Sequence, residues 1–291
     1  MTAEAGVHAG EPFDLLVRDE IGVLEDFVFV ATTGFQAILP RSAPPTLVAD
    51  VKAALVASQL RVGLAYARRA YVKDEVAIAE SPVAEAFRNA YFTGKSHMKT
   101  TRGRFAEGPT PSAGALFAEA ALARLTATYF AAGLLFRTGH LFEAHAVLRQ
   151  FFEQVAWAFA VRSATSAEAV DRVSPTKAIG ELKALLPYVG PAYGYLSKRT
   201  HLSLESHALF VDFSGERTQV ILRHGRKALA EGWLLLFAAD CWAVVFERTQ
   251  LDFMSTLENW VESEGGVSLA ADRPFLKQAR TLRDRLVDAA R

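Results

Sequence analysis

The chain has 291 residues, 51% of them hydrophobic, and its 32 basic and 32 acidic side chains cancel. That length and apolar content suffice for one large helical domain or two small ones around a sizeable core. Zero net charge argues against a polyanion-coating protein, although it hides local asymmetry, and a lone cysteine, Cys241, leaves neither an intrachain disulfide nor a thiolate metal cluster and fits a reducing, intracellular compartment.

Residues 1–11 are small, polar and acidic, with no basic or apolar leader region. They read as a disordered N-terminus rather than a signal peptide. Residues 12–291 read as one helical domain, with 94–111 as the place where it could divide. A first helix is expected from Phe13 to Ala37, its Leu15, Asp19, Val23, Phe27 row mixing one acid into an apolar face. Pro44-Pro45 marks a turn, and Leu47, Val51, Leu55, Ser58 and Val62 then recur at helical spacing, extending a second helix toward Asp74. Ser81-Pro82 reads as a cap followed by proline in the first turn of a short helix ending at Phe92. Gly94 to Pro111 is the longest expected loop, rich in Gly, Thr, Pro and basic residues.

Ser112 caps a long Ala-rich helix that ends at Thr138-Gly139, and His140 to Ser163 follows at once, so the two form an antiparallel hairpin. Ser174-Pro175 repeats the cap-and-proline signature before the Ile179, Leu182, Leu185, Leu186 stripe, which Pro187 ends. Another helix runs from Pro191 to Leu204. The period then changes to two: Leu209, Val211, Phe213 and Thr218, Val220, Leu222 flank Ser214-Gly215-Glu216, a β-hairpin pattern. A long helix from Lys227 to Glu262, broken by Gly265-Gly266, and a tail helix from Arg273 complete the chain. The longest apolar runs, Phe27–Leu39 and Trp233–Phe246, are shorter than the ~20 residues that span a bilayer and read as buried core helices, with no membrane role. The expected fold is therefore mainly α, a helical bundle with a small β-hairpin insertion near residues 208–224.

Two segments concentrate chemistry. On the helix from His140, Arg149 and Glu153 lie four residues apart among apolar neighbours, with His145 one turn before them. The Arg-then-Glu order gains less from intrahelical pairing than the reverse order, and a buried charge is tolerated only with good geometry and further partners. A structural ion pair is slightly favoured over a functional one. In the second segment, Tyr193 to His207, Ser197 lies one turn before His201 and His201 one turn before Glu205, clustering hydroxyls with a titrating imidazole. A polar helix end explains it about as well as a site does. The third element is Asp240, inside Trp233–Phe246 with no basic residue within one turn. It must find a distant partner or stay protonated, and Arg149 or His201 are the expected partners.

Arg149, Glu153, Tyr193, Leu196, Ser197 and His201 together form Arg-x-x-x-Glu followed by Tyr-x-x-Leu-Ser-x-x-x-His. This pattern resembles a bacterial family of helical proteins of unknown function. It covers Leu141 to Ser203, under a third of the chain. The resemblance implies that the two helices meet and share a polar site, and it implies no reaction.

Other motifs fail. Gly94-Lys95-Ser96 has Asn89 where a phosphate loop needs its first glycine, His140 to His145 lacks His-Glu-x-x-His, and there is no Gly-x-Ser-x-Gly elbow or Glu-x-x-His pair. Arg217 and His224 share the Arg-x6-His spacing of helical ribonucleases but fall in the expected hairpin. Lys95, His97, Lys99, Arg102 and Arg104 form one basic segment and Arg217, Arg223, Arg226 and Lys227 another, without interleaved aromatics that would stack bases. No metal and no cofactor are expected. The leading expectation is a bacterial, cytoplasmic, soluble binding or regulatory protein whose polar pocket, built from Arg149, Glu153, Tyr193, Ser197, His201 and Asp240, takes a small molecule or protein ligand. The alternative is a metal-independent, ribonuclease-like hydrolase acting on nucleic acid, with His201 as acid or base, Arg149 as electrostatic stabiliser and Glu153 as a further catalytic candidate. Nucleic acid is the less favoured partner.

Overall fold

The computed structural model describes residues 21–24, 27–31, 36–72, 81–201, 204–212, 219–221 and 223–291. Two compact units are present, Met1–Ala84 and Glu85–Arg291. The expected disorder of residues 1–11 and the expected helix over 13–20 lie outside the described residues.

The first unit corrects the expected N-terminal helix. Strands β1 (Ile21–Leu24), β2 (Phe27–Ala31) and β3 (Gln36–Pro40) form an antiparallel sheet in that order. Val28 pairs with Leu39 and Val30 with Ala37. The apolar run that reads as a core helix is dense in Phe and Val, types that fit a pleated surface better than a helix. Its burial alternates: Val28 and Val30 are buried and Phe27 is exposed. Val28, Val30 and Val48 form one cluster with Leu39, Val51 and Leu55 packed against it. That cluster seats helix α1 (Pro45–Leu60) on the sheet. The expected continuation to Asp74 is also corrected. Arg61 takes the left-handed conformation, with φ 54°, and α2 (Leu64–Tyr71) restarts after Gly63.

The second unit is helical. Helix α3 (Pro82–Gly103) runs past its expected end at Phe92, so of the expected 94–111 loop only residues 104–111 lie outside a helix. Its Gly94 is a packing residue rather than a helix breaker. A Cβ there would come within 2.2 Å of the Tyr129 hydroxyl, and that hydroxyl donates to the Tyr91 carbonyl at 3.1 Å. Helices α4 (Ala113–Arg137) and α5 (Leu141–Val161) form the expected hairpin. Ser112 caps α4, its hydroxyl accepting from the Ala115 amide at 3.1 Å. The connecting Gly139 sits at φ 82°, a backbone geometry that costs a residue with a side chain.

Short α6 (Ala167–Asp171), then α7 (Pro175–Leu185) and α8 (Val189–Thr200), follow. Helices α7 and α8 both pack on α5. After α9 (Leu204–Ala208), strands β4 (Val211–Asp212) and β5 (Gln219–Val220) pair as Val211↔Val220 and Asp212↔Gln219. This is the expected hairpin, shorter than its sequence pattern.

The expected Lys227–Glu262 helix is instead α10 (Gly225–Glu231), α11 (Trp233–Thr249), a 3-10 turn (Leu251–Phe253) and a hairpin of β6 (Trp260–Ser263) and β7 (Gly266–Leu269). Gly265 lies in the hairpin turn and Gly266 opens β7, so neither marks a helix break. Helix α12 (Pro274–Ala289) closes the chain. Gly225–Thr249 is long and apolar enough in composition to cross a membrane, but 83% of its most apolar window is buried inside the protein.

Every residue of α11 from Leu234 to Glu247 is buried, and each large apolar side chain so buried contributes roughly 1.5–3 kcal/mol. Polar atoms fix its position. The Trp242 indole donates to the Leu122 carbonyl of α4 at 2.8 Å, and the Trp260 indole of β6 donates to the Val244 carbonyl at 2.9 Å. Helix α5, packed by α4, α7, α8 and α11, is the element on which the candidate site stands.

Candidate functional site

Along the α5–α8 seam, Arg149 Nε donates to Glu153 Oε1 at 3.1 Å, one turn along α5. The Tyr193 hydroxyl of α8 donates to the same oxygen at 2.7 Å. Arg149 Nη1 reaches Thr200 Oγ1 at 3.3 Å, seven residues further along α8. Arg149 therefore touches α8 near its end while Glu153 touches it near its start, as two antiparallel helices require. The Tyr193 ring lies beside two cations, with Lys183 Nζ 4.9 Å and the Arg149 guanidinium 5.7 Å from its centroid. The Arg149 and Glu153 side chains are 31% and 32% exposed. The pair is thus two-thirds buried and hydrogen-bonded to the segment 193–200, while its remaining surface faces outward.

A second polar cluster, absent from the sequence reading except for His145, lies one turn earlier on α5. His145, 2% exposed, places Nε2 2.6 Å from Glu231 Oε2 of α10. Burial acts to raise the Glu231 carboxyl. The hydrogen bonds and charge it receives from His145 and Tyr195 outweigh burial and hold it below the ordinary glutamate value. An ionised carboxylate only accepts, so His145 Nε2 carries the proton. Burial, reinforced by Glu231, pushes the Tyr195 hydroxyl up to about 12. Aromatic edges from Phe136 and Tyr195 enclose the imidazole. No local spacing signals Glu231, which lies 86 residues from His145.

Beside the first cluster, a cleft of about 610 Å³ opens between α4 and α5. Phe117, Ala121 and Trp157 supply apolar walls, and Glu153 and Gln154 supply oxygens. Gln154 Oε1 is buried with no hydrogen-bond partner. Among the described residues, the hydrogen bonds to Glu153 all fall on Oε1, leaving Oε2 able to meet a donor. One carboxylate therefore belongs both to the α5–α8 seam and to the wall of a cleft.

The other sequence-selected residues lie elsewhere. Ser197 contributes its carbonyl to the end of α8, accepting from the His201 amide at 3.1 Å and the Thr200 hydroxyl at 3.3 Å. His201 is the exposed residue that ends α8. Asp240 is fully buried, and its expected partners are corrected. Oδ2 accepts from Arg273 Nη1 at 2.8 Å and from the Tyr188 hydroxyl at 2.6 Å, not from Arg149 or His201. Burial pushes this carboxyl up, against the opposing pull of Arg273 and Tyr188.

The first basic segment is largely committed to structure. His97 is buried, Arg102 pairs with Glu119 at 3.4 Å, and Arg104 binds both Glu247 and Glu258. In the second basic segment, Arg217 lies outside the described residues. His224 precedes α10, its ring edge-on to Phe210. Among the described residues, no group of three or more His, Cys, Asp and Glu side chains is arranged to hold a metal ion. Compared with protein-family models, with curated proteins and with solved structures, the chain gives no match.

Proposed function

We propose that this chain is a binding or regulatory protein that takes a small amphipathic molecule in the α4–α5 cleft. The ligand has an apolar body and an amine or other hydrogen-bond donor. The observation that carries this reading is the position of Glu153, tied to Tyr193 and Arg149 on one side and lining a mostly apolar cleft on the other. Binding sites are typically apolar concavities with a few placed polar groups, and here, alongside Arg124 and Gln150 on the same walls, Glu153 and Gln154 Oε1 offer acceptors. A donor seated on them would weaken the hold of Glu153 on Tyr193, so occupancy would be felt at α8. That coupling is what makes a regulatory role the natural extension. The lone cysteine, buried in α11, fits a cytoplasmic setting.

The test is a titration of aralkyl amines, such as 2-phenylethylamine, against their alcohol isosteres, followed by Trp157 fluorescence with Trp157→Phe as the blank. The amine should bind at least tenfold more tightly than the alcohol, and Glu153→Gln should erase the difference. Equal binding of the two, or no saturable response in the millimolar range, would remove the proposal.

A further inference from the structure

A second cleft, of about 580 Å³, is formed where the start of α4 meets the ends of α5 and α11. Its walls include Thr110, Ser163, Arg162, Arg248, Asp252 and Phe253. Arg162 stands at the end of α5 and Arg248 in the last turn of α11, so two guanidinium groups from different helices face one concavity.

Neither cation is well neutralised. The nearest carboxylate oxygen to Arg162 is Glu181 Oε2, at 3.8 Å, on a side chain that is 58% exposed. Arg162 otherwise donates to the Phe159 carbonyl and lies over the Phe159 ring, 3.8 Å from its centroid. Arg248 lies over the Trp260 ring at 5.6 Å, and among the described residues it has no carboxylate within 4.0 Å. Burial, and then the neighbouring charge of Arg248, lowers the Arg162 pKa from its ordinary value. Two like charges are therefore held in one cleft by the packing of α5 and α11, and Glu181 offsets their repulsion only in part.

We propose that this cleft binds a phosphoryl group through Arg162 and Arg248. The chemistry selects phosphate over a carboxylate. A phosphate carries close to two negative charges at neutral pH and enough acceptor oxygens for two planar guanidinium forks. The hydroxyls of Thr110 and Ser163 on the same wall can donate to remaining oxygens, whereas Asp252 can only accept. Asp252 therefore suits a hydroxyl-bearing body attached to the phosphate. The apolar faces of Pro109 and Phe253 leave room for that body.

The experiment uses the full chain with inorganic phosphate and pyrophosphate as probes, replacing chloride at constant ionic strength. The parent protein should show a saturable rise in Tm and broadening of the phosphate 31P resonance. Arg248→Met keeps a stem over Trp260 but removes the charge, and it should weaken apparent affinity at least tenfold. Arg248→Lys keeps the charge without the fork and should fall between the two. Without phosphate, Arg248→Met should be as stable as the parent or more so, because a repulsion has been removed. A residue present only for packing would instead leave that variant less stable. Phosphate also stabilises proteins by exclusion from their surfaces, so an equal, non-saturating Tm rise in parent and both variants overturns the proposal. Absence of any response up to tens of millimolar does the same.

Discussion

Arg273 donates from Nη1 to Oδ2 of Asp240 at 2.8 Å, joining the residue that starts α12 to the middle of α11, with side chains 7% and 0% exposed. The pair explains how an aspartate survives in the most apolar segment of the chain. Tyr188 supplies a further hydrogen bond to the same oxygen at 2.6 Å, so one carboxylate gathers α12 and the turn before α8 onto α11. Removing one member leaves the other charge buried alone. Asp240→Ala should cost about 3–5 kcal/mol, read as a lowered urea midpoint. The double variant Asp240→Leu with Arg273→Met should recover much of the loss, because a well-packed apolar pair avoids the desolvation cost of two ions. An unchanged midpoint for Asp240→Ala would show that the pair contributes nothing.

The Arg149–Glu153 pair should behave differently, because its side chains are about one-third exposed. Water solvates whichever partner remains. Glu153→Ala is expected to cost about 1–2 kcal/mol, between the values for exposed and buried pairs. Tyr193→Phe removes one hydrogen bond to a charged acceptor and should cost about 1–2 kcal/mol. The two losses should not add, since both act on Glu153 Oε1. A double-mutant cycle giving full additivity would show that the Tyr193 contact carries no energy.

Glu247 holds the chain after α11 in place. It is fully buried and accepts from the Asn259 amide at 2.8 Å, the Glu258 amide at 3.2 Å and Asn259 Nδ2 at 3.1 Å, and it also pairs with Arg104. Glu247→Ala should leave two backbone amides and Asn259 Nδ2 without this acceptor, while Arg104 keeps Glu258 and Thr101. Protection of the Glu258 and Asn259 amides from hydrogen exchange should fall well before protection in α11 does. Uniform loss across both segments would mean instead that Glu247 acts through the global stability of the fold.

The sequence makes the α4–α5 hairpin legible because both helices are long and apolar, the first is capped by Ser112, and a glycine at positive φ separates them. The Arg149, Glu153 and Tyr193 convergence is legible for a related reason: an ion pair with apolar neighbours on a strongly patterned helix needs outside partners. What fails is long-range. Nothing local tells that Asp240 meets Arg273, or that His145 meets Glu231, because those pairs are set by how separate helices stack. Glu247 could have been suspected, since it lies seven residues after Asp240 on the same face of α11 and follows Val244, Val245 and Phe246. The N-terminal strands are misread because an unbroken apolar run satisfies helix and strand equally until β-branched and aromatic content is weighed. Gly94 misleads for the opposite reason: it signals a breaker in sequence, whereas the Tyr129 hydroxyl occupies the space its side chain would need.

His97 gives the fold a pH dependence whose sign can be worked out. Its ring stacks on Phe275 of α12, with centroids 3.7 Å apart and an interplanar angle of 4°. The residue is 8% exposed, and Nε2 is buried with no hydrogen-bond partner. Burial pushes the imidazole down to about 4 from its ordinary 6.5. The charges of Arg104 and Arg273 act in the same direction and Glu258 acts against them. In the unfolded chain the imidazole takes up a proton near pH 6.5, whereas in the folded protein it stays neutral until about pH 4. The unfolded state therefore binds more protons between those values. Stability is unaffected by this group above pH 6.5 and is lost as pH falls through the window. By pH 5 the loss amounts to about 2 kcal/mol. Urea midpoints of the parent and of His97→Phe, which retains the stack on Phe275, should be compared at pH 7.5 and pH 5. The parent should lose about 2 kcal/mol more than the variant between the two conditions. Equal losses in both proteins would mean that His97 is protonated in the fold and that another group sets the acid sensitivity.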